Sequence, residues 1–126
     1  MKDENIRYRI KRAHETYKDA EVLYEMGSIN SSVNRLYYAA FYATIALLLE
    51  KNIEVKSHNG VKQKLGEELV LKGLVSKKAA KTYSILMDYR HKGDYDDLFE
   101  FDQEIVEELL VSVKEYINKI EDLLNP

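Results

Sequence analysis

The sequence predicts an all-α fold, a bundle of four to five antiparallel helices forming one domain over residues 1–126. Three observations predict it. The chain holds one proline, at its last position, and five glycines, so long stretches run without a helix breaker. Apolar residues recur at every third or fourth position, and no segment alternates in the manner of a strand. A chain of 126 residues is the size of one domain, which buries roughly two-thirds of its unfolded surface.

The first helix is expected over about Asp3 to Met26, where Ile6, Ile10, Ala13, Tyr17, Ala20 and Leu23 line one face. Gly27 ends it, because glycine takes the left-handed conformation beyond a helix end. Ser28 or Asn30 offers a cap for a second helix reaching about Asn52. Its stretch from Leu36 to Leu49 carries no charge over 14 residues. That is shorter than the roughly twenty residues needed to cross a bilayer, so no membrane is implied. A helix apolar on all sides must be covered on all sides, and a small bundle covers only part of the circumference. A homodimer through this second helix is therefore expected, with two-fold symmetry as the usual form.

A polar loop from Asn52 to Asn59 precedes a third helix, about Gly60 to Lys72, with Val61, Leu65 and Leu69 on one face and Gly73 at its end. Ser76 caps a fourth, about Lys77 to Lys92, with Ala79, Tyr83, Leu86 and Arg90 on one stripe and Gly93 marking its end. Asp102 caps a fifth, whose stripe is Ile105, Leu109, Val113, Ile117, Ile120 and Leu124.

Composition narrows the chemistry. The absence of cysteine excludes disulfides, thiol catalysis and cysteine-built zinc sites. His14, His58 and His91 show no metal-ligand spacing. Asp94, Asp96, Asp97, Glu100 and Asp102 lack the glycine and terminal glutamate of a calcium loop, so no metal and no cofactor is expected. Charge divides along the chain. Residues 51–92 carry ten basic and four acidic side chains, and residues 93–126 carry two basic and eleven acidic. Such asymmetry suits a polarised surface, and equally helices with solvated faces of either sign. The N-terminus shows no signal-peptide pattern, and a cytoplasmic location is expected.

The switch in charge falls within Tyr89-Arg90-His91-Lys92-Gly93-Asp94-Tyr95-Asp96-Asp97, the densest group of reactive side chains in the sequence. Arg90 in the last turn of a helix is favoured by the macrodipole, and Arg90 and Asp94 are spaced for an i,i+4 pair if the helix persists. Yet Arg90 shares the stripe of Tyr83 and Leu86, where a cation needs a partner. Arg35 shares a face with Tyr38 and Tyr42, a set that can hold phosphate and stack on a base, or pack as a snorkelling helix end. Ser57 and His58 open the third helix, where Ser57 or Asn59 serves as a cap and where an anion also fits. Tyr95, set among glycine and aspartates, is expected on an exposed loop as a modification acceptor.

The order of these pieces resembles the HEPN superfamily. An Arg-x-Tyr-Tyr-Ala-x-Phe helix (Arg35 to Phe41), Ser57-His58 ahead of an amphipathic helix, and Arg-x-x-x-Asp-Tyr (Arg90, Asp94, Tyr95) are similar to the small stand-alone UPF0332-type members, over about residues 5–124. The resemblance implies a dimerising HEPN-like bundle that binds a nucleotide or RNA through Arg35, Tyr38, Ser57, His58 and Arg90. It also implies a minimal nucleotidyltransferase antitoxin as partner in a toxin–antitoxin-like pair. Many such proteins are metal-independent ribonucleases, with an arginine on the phosphate and a histidine a few residues later as acid or base. Arg90 matches the arginine, but the histidine positions hold Tyr95, Asp96 and Asp97, which counts against ribonuclease activity. The competing readings are an endoribonuclease using Arg90 with His91, Asp94 or Tyr95, and a non-catalytic helical interaction module. Nothing in the chain signals DNA specificity.

Overall fold

A computed structural model describes residues 1–96 and 99–125. It contains α1 (Lys2–Glu25), α2 (Ile29–Glu50), α3 (His58–Lys64) with a π-helical continuation (Leu65–Val70), α4 (Lys77–Tyr95) and α5 (Gln103–Leu124). No strand occurs among the described residues. The predicted all-α bundle is what forms.

Cross-links between helices give their directions. His14 reaches Glu121 and Tyr17 donates to the Leu110 carbonyl, while Tyr24 bonds Glu107, so α1 and α5 run antiparallel. Asn34 meets Asp94 and Tyr38 meets Arg90, so α2 and α4 do as well. α2 lies at the centre and touches each of the other helices. Inside, Thr44 shares a hydrogen bond of 2.6 Å with the Tyr116 hydroxyl, which satisfies two polar groups in an apolar core.

Local punctuation follows the chemistry in most places. Gly27 and Gly73 sit at φ +83° and +77°, the left-handed conformation expected at a helix end. Ser76 accepts from the Ala79 amide and Asp102 from the Glu104 amide, as N-caps should. Ser57 accepts from the Gly60 amide, so α3 starts at His58, two residues earlier than the apolar pattern suggested. Ser28 holds the cap position of α2 without a side-chain capping bond, and Asn30 instead donates to the Phe99 carbonyl.

Three expectations are corrected. Gly93 does not end α4, which runs on through Asp94 to Tyr95. The glycine is there for space, because a Cβ would lie 3.2 Å from the Phe101 ring. Tyr95 is therefore helical rather than on a loop. In α5, Ile105 faces outward and Val106 is buried in its place, so the core stripe begins one residue later.

The charge-free helix is covered on most of its circumference. Leu36, Tyr37, Ala39, Ala40, Ala43, Thr44, Ala46, Leu47 and Leu48 are buried. Tyr38, Phe41, Tyr42, Ile45 and Leu49 are only partly buried and lie along one stripe. No helix among the described residues is long and apolar enough to cross a membrane.

Candidate functional site

The open stripe of α2 leads to a cluster in which α2, α3 and α4 meet. Tyr37, buried, shares a 2.7 Å hydrogen bond through its hydroxyl with Nδ1 of His58. The capping bond of Ser57 fixes the start of α3 and so delivers His58 to this point. The imidazole packs 4.7 Å from the ring centre of Phe41, and 5.6 and 5.8 Å from those of Tyr37 and Tyr38.

Arg90 enters from α4. Its Nη1 donates to the Tyr38 hydroxyl at 3.1 Å, and its guanidinium carbon lies 5.0 Å from the Tyr37 ring centre. Cation–π contact with two tyrosines compensates part of the desolvation of the charge. The Nε atom is buried with no hydrogen-bond partner, and Arg90 forms no ion pair among the described residues. A half-buried guanidinium with unspent donors and no carboxylate partner among the described residues keeps its capacity to donate to an acceptor.

His58 and Arg90 are coupled electrostatically. Burial, and then the Arg90 charge, push the His58 pKa below its usual 6.5, so the imidazole is neutral at pH 7. Its Nε2 has no hydrogen-bond partner among the described residues. Burial raises the Tyr37 pKa, against the opposing pull of Tyr83 and Arg90. Tyr83, deeper still, is raised far above the ordinary phenol value by desolvation, so both stay protonated.

Arg35 stands over the Tyr38 ring at 5.0 Å. Its Nε and Nη2 donate to Asn34 Oδ1 at 3.1 and 2.7 Å. Asn34 in turn donates to both Asp94 carboxylate oxygens at 3.4 Å.

Of the residues expected at the site, Arg90, Tyr38 and His58 come together, with Arg35 beside them. Ser57 is occupied as a cap. The Arg90–Asp94 pair does not form; Asp94 turns to Asn34. Tyr95 is 74% exposed, and its ring packs at a tilt against His91, 4.7 Å between centres. Asp97 lies outside the described residues. Tyr37 and Asn34 are participants that sequence reasoning missed: Tyr37 reads as core, and nothing in the sequence marks Asn34. Among the described residues no trio of His, Asp or Glu is grouped to hold a metal ion.

Comparison with known proteins adds the family context. A model of the HEPN domain matches residues 6–123. A UPF0332 protein of Thermotoga maritima is 37% identical over 98% of this chain and 93% of its own length. Two Methanocaldococcus jannaschii proteins also match. "Putative toxin MJ0142" is 30% identical over 91% of this chain and 78% of its own length, and "Putative toxin MJ0605" is 29% identical over 96% and 90%.

Proposed function

The chain belongs to the HEPN family, and on that premise we propose that it is a toxin-type HEPN protein that binds an RNA or nucleotide phosphate at Arg90. The observation that carries this reading is the Arg90 guanidinium, held by Tyr37 and Tyr38 beside neutral His58 with no carboxylate partner among the described residues. The names of the two Methanocaldococcus jannaschii relatives support the toxin reading. The partly buried stripe of α2 borders the same cluster, and a second copy of the chain covers it in the proposed homodimer. The partner is a small nucleotidyltransferase acting as antitoxin in the cytoplasm, with Tyr95, exposed on the last turn of α4, as the group it modifies.

Calorimetric titration with a short single-stranded RNA tests the site. Wild type is expected to bind. Arg90→Ala should bind roughly 10-fold or more weakly, since a hydrogen bond to a charged group is worth about 1.5–3 kcal/mol. No heat from wild type at millimolar ligand refutes the proposal.

The position of His58 favours a second reading, a ribonuclease. His91, one of the partners the sequence offered Arg90 alongside Asp94 and Tyr95, packs against Tyr95 instead. His58 stands beside Arg90, and its Nε2 has no hydrogen-bond partner among the described residues. In this reading Nε2 takes the proton of the RNA 2′-hydroxyl as that oxygen bonds to phosphorus. The P–O5′ bond breaks and the proton passes on to the departing 5′ oxygen, leaving a 2′,3′-cyclic phosphate and a 5′-hydroxyl. Cleavage abolished by His58→Ala, and absent with 2′-O-methyl RNA, supports it; equal rates for wild type and His58→Ala remove it.

A further inference from the structure

Arg35 is the part of the cluster that the single phosphate site does not use. It lies on α2, three residues before Tyr38, so helical geometry places it over that ring. Arg90 reaches the same tyrosine from α4, at its hydroxyl end. The two guanidinium carbons are therefore separated by no more than the 5.0 and 5.8 Å that divide each from the Tyr38 ring centre, taken together.

Arg35 is held rather than loose. Asn34 Oδ1 engages one edge of its guanidinium through Nε and Nη2, and Nη1 has no partner among the described residues. Among the described residues the acid in this arrangement, Asp94, is kept one residue away, because its carboxylate meets the Asn34 amide and not the guanidinium. Neither Arg35 nor Arg90 forms an ion pair among the described residues. Two uncompensated cations sharing one neighbour repel, and anionic groups set against them remove that repulsion. Arg90 bonds the tyrosine hydroxyl with its guanidinium carbon 5.8 Å from the ring centre, and Arg35 lies over the ring at 5.0 Å, so two guanidinium groups on different helices converge on one ring.

We infer that the site takes two consecutive phosphates of a single RNA strand, Arg90 holding one and Arg35 the next, with Tyr38 as their shared spacer. This rests on the reading of Arg90 as a phosphate site and narrows its ligand from a nucleotide to a strand. Asn34 is a positioning residue: it orients Arg35 and links it to Asp94. The Asp94 of the α4 motif thereby acquires a task that acid–base chemistry does not give it.

The test uses 2′-O-methyl oligouridylates, which cannot be cleaved, in a dinucleotide with one phosphodiester and a trinucleotide with two. Arg35→Ala is expected to weaken trinucleotide binding about 10-fold and to change dinucleotide binding less than about 2-fold. The dependence of log affinity on log salt is expected to fall from a slope of about −1.4 for wild type to about −0.7 for Arg35→Ala on the trinucleotide. Asn34→Ala should shift that slope in the same direction, which a merely structural effect would not do. Equal losses on both ligands mean one shared phosphate and overturn the inference while leaving the Arg90 site standing. No loss on either ligand overturns it in the same way. If Arg90→Ala leaves both affinities unchanged, or wild type binds neither ligand, the phosphate-site reading fails and this one fails with it. A circular-dichroism melt of each variant confirms that the bundle is folded.

Discussion

Removing one oxygen atom tests the internal geometry of the cluster. Tyr37→Phe keeps the buried ring and its contacts to Phe41 and Tyr83, and deletes the hydroxyl that meets His58 Nδ1 at 2.7 Å. A neutral hydrogen bond contributes about 0.5–1.5 kcal/mol net, and a partly buried nitrogen left without its partner costs about 1–3 kcal/mol. The ring contact between His58 and Phe41 survives, so the imidazole stays near its place. Tyr37→Phe is therefore expected to destabilise the fold by about 1–2 kcal/mol, seen as a lower urea midpoint with unchanged slope. A cycle with His58→Gln isolates the pair, with a coupling energy of about 1 kcal/mol. NMR titration of His58 provides the second readout: with its anchor gone the ring gains solvent, and its pKa moves up toward 6.5. A coupling energy near zero together with an unmoved titration would show that the bond does not form, and the neutral, positioned imidazole would go with it.

The other predictions concern assembly, pH and capping. Ile45→Asp places a charge on the open stripe of α2 and is expected to convert a dimer into a monomer in sedimentation at micromolar concentration, with the helical signal retained; a wild-type monomer removes the dimer. A bound phosphodiester raises the depressed pKa of His58, so binding takes up a proton, and affinity rises as pH falls through the interval between the free value, below 6.5, and the bound one. His58→Gln should flatten that profile; Arg90, Tyr37 and Tyr38 are the other groups facing the imidazole. Asp102→Ala removes the N-cap of α5 and should cost about 1 kcal/mol, read as a fall of roughly 3–5 °C in the melting midpoint.

What the sequence discloses and what it withholds divide along the range of the interactions. Gly27, Gly73, Ser76 and Asp102 act within one helical turn, so their roles can be read from neighbours in the chain. Gly93 obeys a longer-range demand, the Phe101 ring packed against its backbone, and that contact overrides the rule that glycine ends a helix. The correction to Gly93 also moves Asp94 and Tyr95, since a continuing helix turns them to fixed sides of α4. Burial of residues 36–49 of α2 is legible because none of them is charged; the stripe that stays less covered is not, because it depends on where α1, α4 and α5 pack. The site shows the same division. Arg90 on the stripe of Tyr83 and Leu86 announces that it needs a partner, but that partner comes from tertiary packing. His58 stands 32 positions earlier on a different helix, and only the Ser57 cap and the docking of α3 against α2 bring it to Tyr37. A histidine absent from its expected place along a helix can thus be present in space, supplied by another element. Local reading of the α4 motif counts its chemistry as incomplete, while the folded chain assembles an arginine, a neutral imidazole and two tyrosine hydroxyls around one point.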